Sequence, residues 1–503
     1  MIYQTKLEEF KRLVSEIEML DNTRNSLIYW DKITNMPLDG IEYRSQVMAY
    51  LADQQYKLMS GREFNSYLKY FNNHPRNNEI TNAMVRRICS NSGYVNKIPE
   101  AEYKDYTALL SKSEKIWEQA KAEKKMESIL PYWEQIFNHF RRFAEYWGYE
   151  DKSYDALMGY YNQELTVAKM DEMVDELKRV LIAYRERIHS VAETEVIELT
   201  DIPAVDEKRQ KRIWEMILSE LGFSFEAGRV DVGSHPTMLA NSPFDVRIVN
   251  GYSEKDFRTG IFNILHSGGK GIYQQSISKE LMGTLLADAP SWILEEAVGR
   301  FYENILGRSK GFWKYFHGKI VEIAPELGKY TPCQLFESTN CAEANPIRLE
   351  ADELTYLLHI IVRYEIEREI FDGRLTVEEI SVAWNQKYKD YLGILPADDE
   401  EGVLQDIHWS AGYVGYFPTY IVANLTAAQI AKAIEKDCGD MNQLLETGRF
   451  DVINQWLTDH IFQHGAIYPT AELIARATGE PLDPAYYLDY LRNKFSEVYK
   501  INL

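Results

Sequence analysis

Apolar residues along this chain recur mostly three and four positions apart, the spacing of one face of an α-helix. Leu354, Leu357, Leu358, Ile361 and Tyr364 form one such stripe. Asp352 stands where its carboxylate can cap the start of that helix, and Gly373 stands where a left-handed residue would end it. Thr376-Val377-Glu378-Glu379 then reads as a capping box opening the next helix. Ser291, just after Pro290, starts another, with Leu294, Val298, Phe301 and Ile305 on one face. Strand signals are sparse. The best is Asp245-Val246-Arg247-Ile248-Val249, which ends at Asn250-Gly251, a dipeptide that favours tight turns. The stretch from Gly228 to Pro243 is dense in turn formers and reads as a connecting loop, a candidate wall or lid of a site. The pattern predicts a mainly α protein with one small β-sheet.

Composition narrows the class. The 503 residues are 45% hydrophobic and 13% aromatic, enough apolar material for a large core and too much for a disordered chain. No Gly/Ser-rich or Pro-rich linker divides the sequence, so residues 1–503 are expected to form one large unit. Within it, a helical N-terminal part runs to about residue 227 and a site-bearing part covers about 228–503. The net charge of -21 comes from 77 acidic and 56 basic residues spread along the helices. That surface repels phosphate backbones and anionic lipid, which argues against nucleic-acid and membrane partners. No window approaches the roughly 20 apolar residues that span a bilayer. The start, MIYQTKLEEF, lacks the apolar run of a signal peptide. Cys89, Cys333, Cys341 and Cys438 are scattered and fit free thiols in a reducing cytoplasm.

The chemistry concentrates between Ile261 and Ser309, in Leu265-His266-Ser267-Gly268-Gly269-Lys270 and Leu294-Glu295-Glu296-Ala297-Val298-Gly299-Arg300. Alone, a histidine on a helix is more often a structural residue than a ligand. The surrounding segments change that. Trp30-Asp31 with Met36-Pro37 and Gly40, Ser153-Tyr154-Asp155-Ala156-Leu157, and Gly228-Arg229-Val230-Asp231 leading to His235-Pro236 come in order. Asp245-Val246-Arg247, Ile347-Arg348-Leu349-Glu350-Ala351-Asp352 and Gly402-Val403-Leu404-Gln405-Asp406-Ile407-His408-Trp409 follow. Gly415-Tyr416-Phe417-Pro418-Thr419-Tyr420 and Gly479-Glu480-Pro481-Leu482 complete the series. Together they resemble the carboxypeptidase Taq family of zinc metallocarboxypeptidases over nearly the whole chain.

The resemblance implies a large helical fold with a deep central groove and a small sheet beside it, a homodimer, and removal of C-terminal residues from peptides with zinc, cobalt or manganese. In that family a helix carries His-Glu-x-x-His. Histidines four apart lie about 40° apart on one face and share a metal, and the glutamate between them is general base. A glutamate on the following helix is the third ligand, and the metal lowers the pKa of its water toward about 7.

Mapped onto this chain, His266 holds the first ligand position and Glu296 the third. Lys270 replaces the second histidine, Ser267 the base, Glu295 the histidine before the third ligand, and Val298 a glutamine. Arg300, Glu303-Asn304 and Gly307-Arg308-Ser309 keep the register, so these are substitutions. An ammonium has no lone pair for zinc and repels the ion. Serine without a base of its own takes no proton from water near neutral pH. Two ligands fall short of the three that catalytic zinc takes. Gly268 beside Gly269 is expected to loosen the helix, at about 1 kcal/mol each relative to alanine. No cofactor and no hydrolysis are therefore expected. Lys270 is expected to pair with Glu296 in place of the metal; the alternative is that it points into the groove toward water.

The segments that the resemblance implies line the groove near the metal survive. Arg348 and Arg247 suit a peptide's terminal carboxylate, since guanidinium can grip it bidentately, with Asp245, Gln405, Asp406 and His408 as groove wall. The bland alternative pairs Arg348 with Asp352 and places His408-Trp409 in the core. Thr237, where the family has phenylalanine, and Val249, where it has threonine, depart from the pattern. Three functions compete: a silent homologue that binds peptide C-termini, an active metal-dependent carboxypeptidase with an improvised site at His266, Glu295 and Glu296, and a structural partner of an active paralogue. The second is handicapped because adjacent helical residues point about 100° apart.

Overall fold

The computed structural model describes residues 2–94, 97–191, 202–233, 236–253 and 255–503; His235 lies outside them. The helices that bear on function are, in chain order, α1 (Ile2–Asn22), α2 (Ser153–Tyr161), α3 (Glu207–Glu220), α4 (Phe257–Ser276), α5 (Trp292–Arg300), α6 (Glu353–Phe371) and α7 (Ile380–Leu392). The local signals act as expected. Asp352 accepts from the backbone N–H groups of Leu354 and Thr355 at the start of α6, and Gly373 beyond its end has φ +70°. Thr376 and Glu379 form the reciprocal capping box at the turn leading into α7.

The sheet is small and mixed, in the order β1-β3-β2 with β1 (Gly228–Val232), β2 (Thr237–Ser242) and β3 (Asp245–Asn250). β3 is central, parallel to β1 and antiparallel to β2, with an irregularity between Ala240 and Ser242. The stretch Gly228–Pro243, read as a loop, therefore supplies two strands. Both are too short to alternate visibly, and their ladders to β3 supply what their own composition does not. Asn250-Gly251 makes no hairpin: Asn250 is buried and donates to the carbonyl of Gly260, turning the chain into α4.

Contacts divide the chain into two compact units, each assembled from three stretches. The first comprises Met1–Ser90, Leu199–Phe336 and Thr426–Leu482 and holds the sheet, α1 and α3 to α5. The second comprises Asn91–Glu198, Glu337–Leu425 and Asp483–Leu503 and holds α2, α6 and α7. In the first, α4 runs without a break through Gly268 and Gly269. A Cβ on Gly269 would lie 2.5 Å from the Tyr302 ring, and one on Gly268 would strike Leu218. The glycine pair thus gives α4 close contact with its neighbours instead of loosening it. In the second unit every residue from Glu353 to Glu367 is buried, as expected of a helix apolar nearly all round. His359, Arg363 and Glu367 interrupt it at four-residue spacing. Among the described residues no helix is long and apolar enough to cross a membrane, and the four cysteines are free.

Candidate functional site

In the first unit, α4 presents His266 and, one turn later, Lys270 toward α5. The chain continues from α5 as a π-helical stretch, Phe301–Leu306, so that Glu296, Arg300 and Glu303 follow one another on one side. The His266 Nε2 lies 3.3 Å from Glu296 Oε2, and its Nδ1 lies 3.0 Å from Glu303 Oε2. The Lys270 ammonium donates to Glu296 Oε2 at 3.1 Å, and Arg300 Nε donates to Glu296 Oε1 at 3.0 Å. Arg300 Nη1 and Arg308 Nη2 approach Glu303 at 3.4 and 3.7 Å. The expected pairing of Lys270 with Glu296 is present, and Glu296 has two further partners that the sequence reading did not supply.

These side chains are only 15–21% exposed, so solvent screens their charges weakly. Burial alone would push Glu296 up, but Lys270, His266 and Arg300 hold it well below the usual carboxylate range. Lys270 is raised: burial works against its charge, and the Glu296 and Glu295 carboxylates outweigh it. Glu303, also opposed by burial, is brought down to about 2, chiefly by Arg300 and His266. Glu295 stands outside this ring of ion pairs, and burial pushes its carboxyl up. Ser267 is buried.

The donor set does not fit zinc. The Lys270 ammonium lies on Glu296 beside His266, where a permanent cation offers no lone pair and repels a divalent ion. Among the described residues no group of three or more His, Cys, Asp or Glu is placed to hold a metal ion. The arrangement does electrostatic work instead. Lys270→Ala is expected to cost about 1–2 kcal/mol, less than the 3–5 of a stripped buried pair, because Arg300 and His266 remain on Glu296. Adding Glu296→Gln should recover part of that loss, with coupling on the order of 1–2 kcal/mol in denaturant melts of the four variants. Additive effects would show that the pair contributes nothing in solution.

Arg247, on β3, pairs with Asp245 at 2.9 Å and lies over the Trp30 ring at 4.2 Å. The parallel register sets it beside Arg229, whose guanidinium is 5.2 Å from the same ring, while Trp30 Nε1 donates to Asp231 at 2.9 Å. This tryptophan, packed against arginines of two neighbouring strands, was legible only as a family marker.

In the second unit Arg348 is buried and pairs with Asp406, not Asp352, which is committed to capping α6. Arg348 Nη2 and Nε reach Asp406 Oδ1 at 2.7 and 3.1 Å, and Arg363 Nε reaches Oδ2 at 2.6 Å. The two guanidinium groups hold the Asp406 carboxyl far below its usual range against the cost of burial. Gln405 braces the turn: it accepts from Arg348 N at 2.7 Å and donates to Pro346 O at 3.0 Å. His408 stacks near Phe417 at 4.5 Å and sits 3.4 Å from Tyr420 Oη. Burial, aided by the arginines, lowers it to about 4, so it is neutral near pH 7. Trp409 is core. Its ring packs on Trp133, and its indole N–H donates to Glu367 at 2.7 Å.

Sequence reasoning missed Glu303, Arg363 and Glu367. Glu303 stands seven residues after Glu296, two helical turns on, and was used only to fix register. Arg363 and Glu367 were signalled by polar residues four apart inside an apolar helix.

The model of the carboxypeptidase Taq (M32) metallopeptidase family matches residues 9–495. Carboxypeptidase 1 of Bacillus subtilis is 38% identical over 476 residues, covering 94% of this chain and 95% of its own. Thermostable carboxypeptidase 1 of Thermus thermophilus is 33% identical, covering 99% of each. Among solved structures, the M32 carboxypeptidase of Deinococcus radiodurans R1 superposes with TM-score 0.95 at 26% identity, over 99% of this chain and 100% of that one. The Pyrococcus furiosus carboxypeptidase gives 0.94 at 30%, over 97% and 99%. With the helical fold and the small sheet in place, the chain belongs to the carboxypeptidase Taq family of metallopeptidases.

Proposed function

We propose that this protein is a catalytically silent member of its family that binds peptide C-termini, with ion pairs standing where its relatives' metal chemistry is expected. The carrying observation is the Lys270 ammonium 3.1 Å from Glu296, on the carboxylate that the family mapping assigns to the metal. Arg247, the more exposed of the two candidate arginines, is assigned the incoming carboxylate. Arg348, engaged by Asp406, supports the wall formed with Gln405 and His408, and Asp245 orients Arg247. In this reading residues 1–503 work as one homodimeric domain in the cytoplasm, a compartment that the four free thiols suit.

The test is metal analysis of purified protein beside a blocked-dipeptide hydrolysis assay and calorimetry with peptides bearing a free or amidated C-terminus. No stoichiometric zinc, cobalt or manganese, no turnover, and binding only of the free acid are expected. One tightly held divalent ion accompanied by turnover would overturn the silent reading. Equal affinity for the amide would remove the C-terminal carboxylate from it.

A further inference from the structure

Three motifs of the second unit converge on one carboxylate. Glu367, on α6, is fully buried. Tyr154 Oη, from the Ser153–Leu157 motif, donates to its Oε2 at 2.6 Å, and the Gly415 N–H donates to the same oxygen at 2.7 Å. Trp409 Nε1 donates to Oε1 at 2.7 Å. One turn earlier on the same helix face, Arg363 grips Asp406. Asp406-Ile407-His408-Trp409 is thus held at both ends by α6, with His408 between the two holds. All three donors to Glu367 are neutral, and among the described residues no cation is paired with it.

We propose that Glu367 is a proton-linked latch, a positioning residue that seats the Asp406–Gly415 segment, and His408 with it, firmly when protonated and loosely when ionised. The link to ligand rests on the peptide-binding reading; the latch itself does not. A carboxylate only accepts, so it can take all three donors at once. Once protonated, one oxygen carries a hydrogen and needs an acceptor. Of the three partners only the Tyr154 hydroxyl can turn round to accept, because indole and amide N–H groups only donate. Protonation therefore reverses the Tyr154 hold, keeps both N–H holds and removes a buried charge with which no cation among the described residues is paired.

Burial pushes the Glu367 carboxyl up, against the pull of its three hydrogen bonds, to about 7, which puts the change in the neutral range. The titratable groups facing it are Tyr154 and Tyr161 on α2, and burial pushes both hydroxyls well above the usual phenol range. On its own helix, Tyr364 is likewise raised, and Arg363 stays paired with Asp406. On the loop, His408 is lowered to about 4. None of these changes charge with Glu367. The sign follows from the raised native value. Stability contributed by Glu367 is complete below about 4.5, its ordinary value, and is lost as the pH climbs through about 7.

The test follows the Trp409 indole N–H resonance in 15N-labelled protein from about pH 5 to about pH 9, assigned by its loss in Trp409→Phe. A titration with a midpoint near 7 is expected in the native chain, and a flat response in Glu367→Gln. A flat native response, or the same titration in Glu367→Gln, overturns the latch. Tyr154→Phe removes a donor to the charged form and should raise the midpoint; an unchanged midpoint overturns the mechanism and decides the matter if Glu367→Gln does not fold. In parallel, affinity for a free-acid peptide should be higher below the midpoint than above it in the native chain only. A titration without peptide affinity at either pH sinks the binding reading and leaves the latch standing.

Discussion

Asp406→Ala is expected to destabilise the second unit by about 3–5 kcal/mol, the largest single-site effect foreseen for this chain. The carboxylate lies between two guanidinium groups, that of Arg348 at 5% exposure and that of Arg363 at 0%. Removing it leaves two cations buried with no counter-charge, and an unpaired buried charge costs more than the intact pair contributes. Burial on both sides keeps solvent from taking over, which separates this triad from surface pairs worth about 0–1 kcal/mol. Because the Asp406 carboxyl is depressed, its contribution is present above the ordinary aspartate range. It is lost only as pH falls toward the much lower native value, so the effect should be constant through neutral pH. Denaturant melts of the native chain and the variant measure it as a shift in midpoint. A loss below about 1 kcal/mol would mean that the arginines find other partners or water, and that the triad does not organise this segment.

Ser267→Glu together with Lys270→His is expected to let the chain bind zinc stoichiometrically. The structure favours this because what orients the first ligand is intact. Glu303 holds His266 Nδ1 at 3.0 Å, so Nε2 faces Glu296, and such outer contacts typically govern metal affinity by 10–100-fold. Replacing Lys270 also removes the cation that competes for Glu296. Activity should return only weakly, since by the family resemblance Glu295 and Val298 stand where histidine and glutamine are expected. Metal analysis after dialysis and the blocked-dipeptide assay give the two readouts. A double variant that folds but binds no zinc would show that the close packing of α4 at Gly268 and Gly269 has moved the ligand positions out of reach.

How far the residues spoke for themselves depends on the range over which each effect acts. Helix starts and stops were legible because caps and stripes are local: Asp352 meets N–H groups two and three residues ahead, and Thr376 meets Glu379. Failure of the metal motif was legible because it is a matter of side-chain chemistry at aligned positions. Lys270 with Glu296 could be anticipated across 26 residues because a buried carboxylate without its metal requires a cation. Requirement does not name every supplier, however, and Arg300 and His266 share that carboxylate only because the π-helical stretch and α4 bring them there. The strands at Gly228–Val232 and Thr237–Ser242 form through ladders to β3 that their own residues do not announce. Arg348 has acids nearby at Glu350 and Asp352, yet its partner is Asp406, 58 residues away, because Asp352 already caps α6 and Asp406 lies between two guanidinium groups. The ordered motifs thus carried the family resemblance, local spacing the helices, and side-chain chemistry at the aligned positions the degenerate metal motif. Tertiary structure alone chose the partners of its buried charges, because burial makes every such charge need a partner and only the folded chain decides which one is within reach.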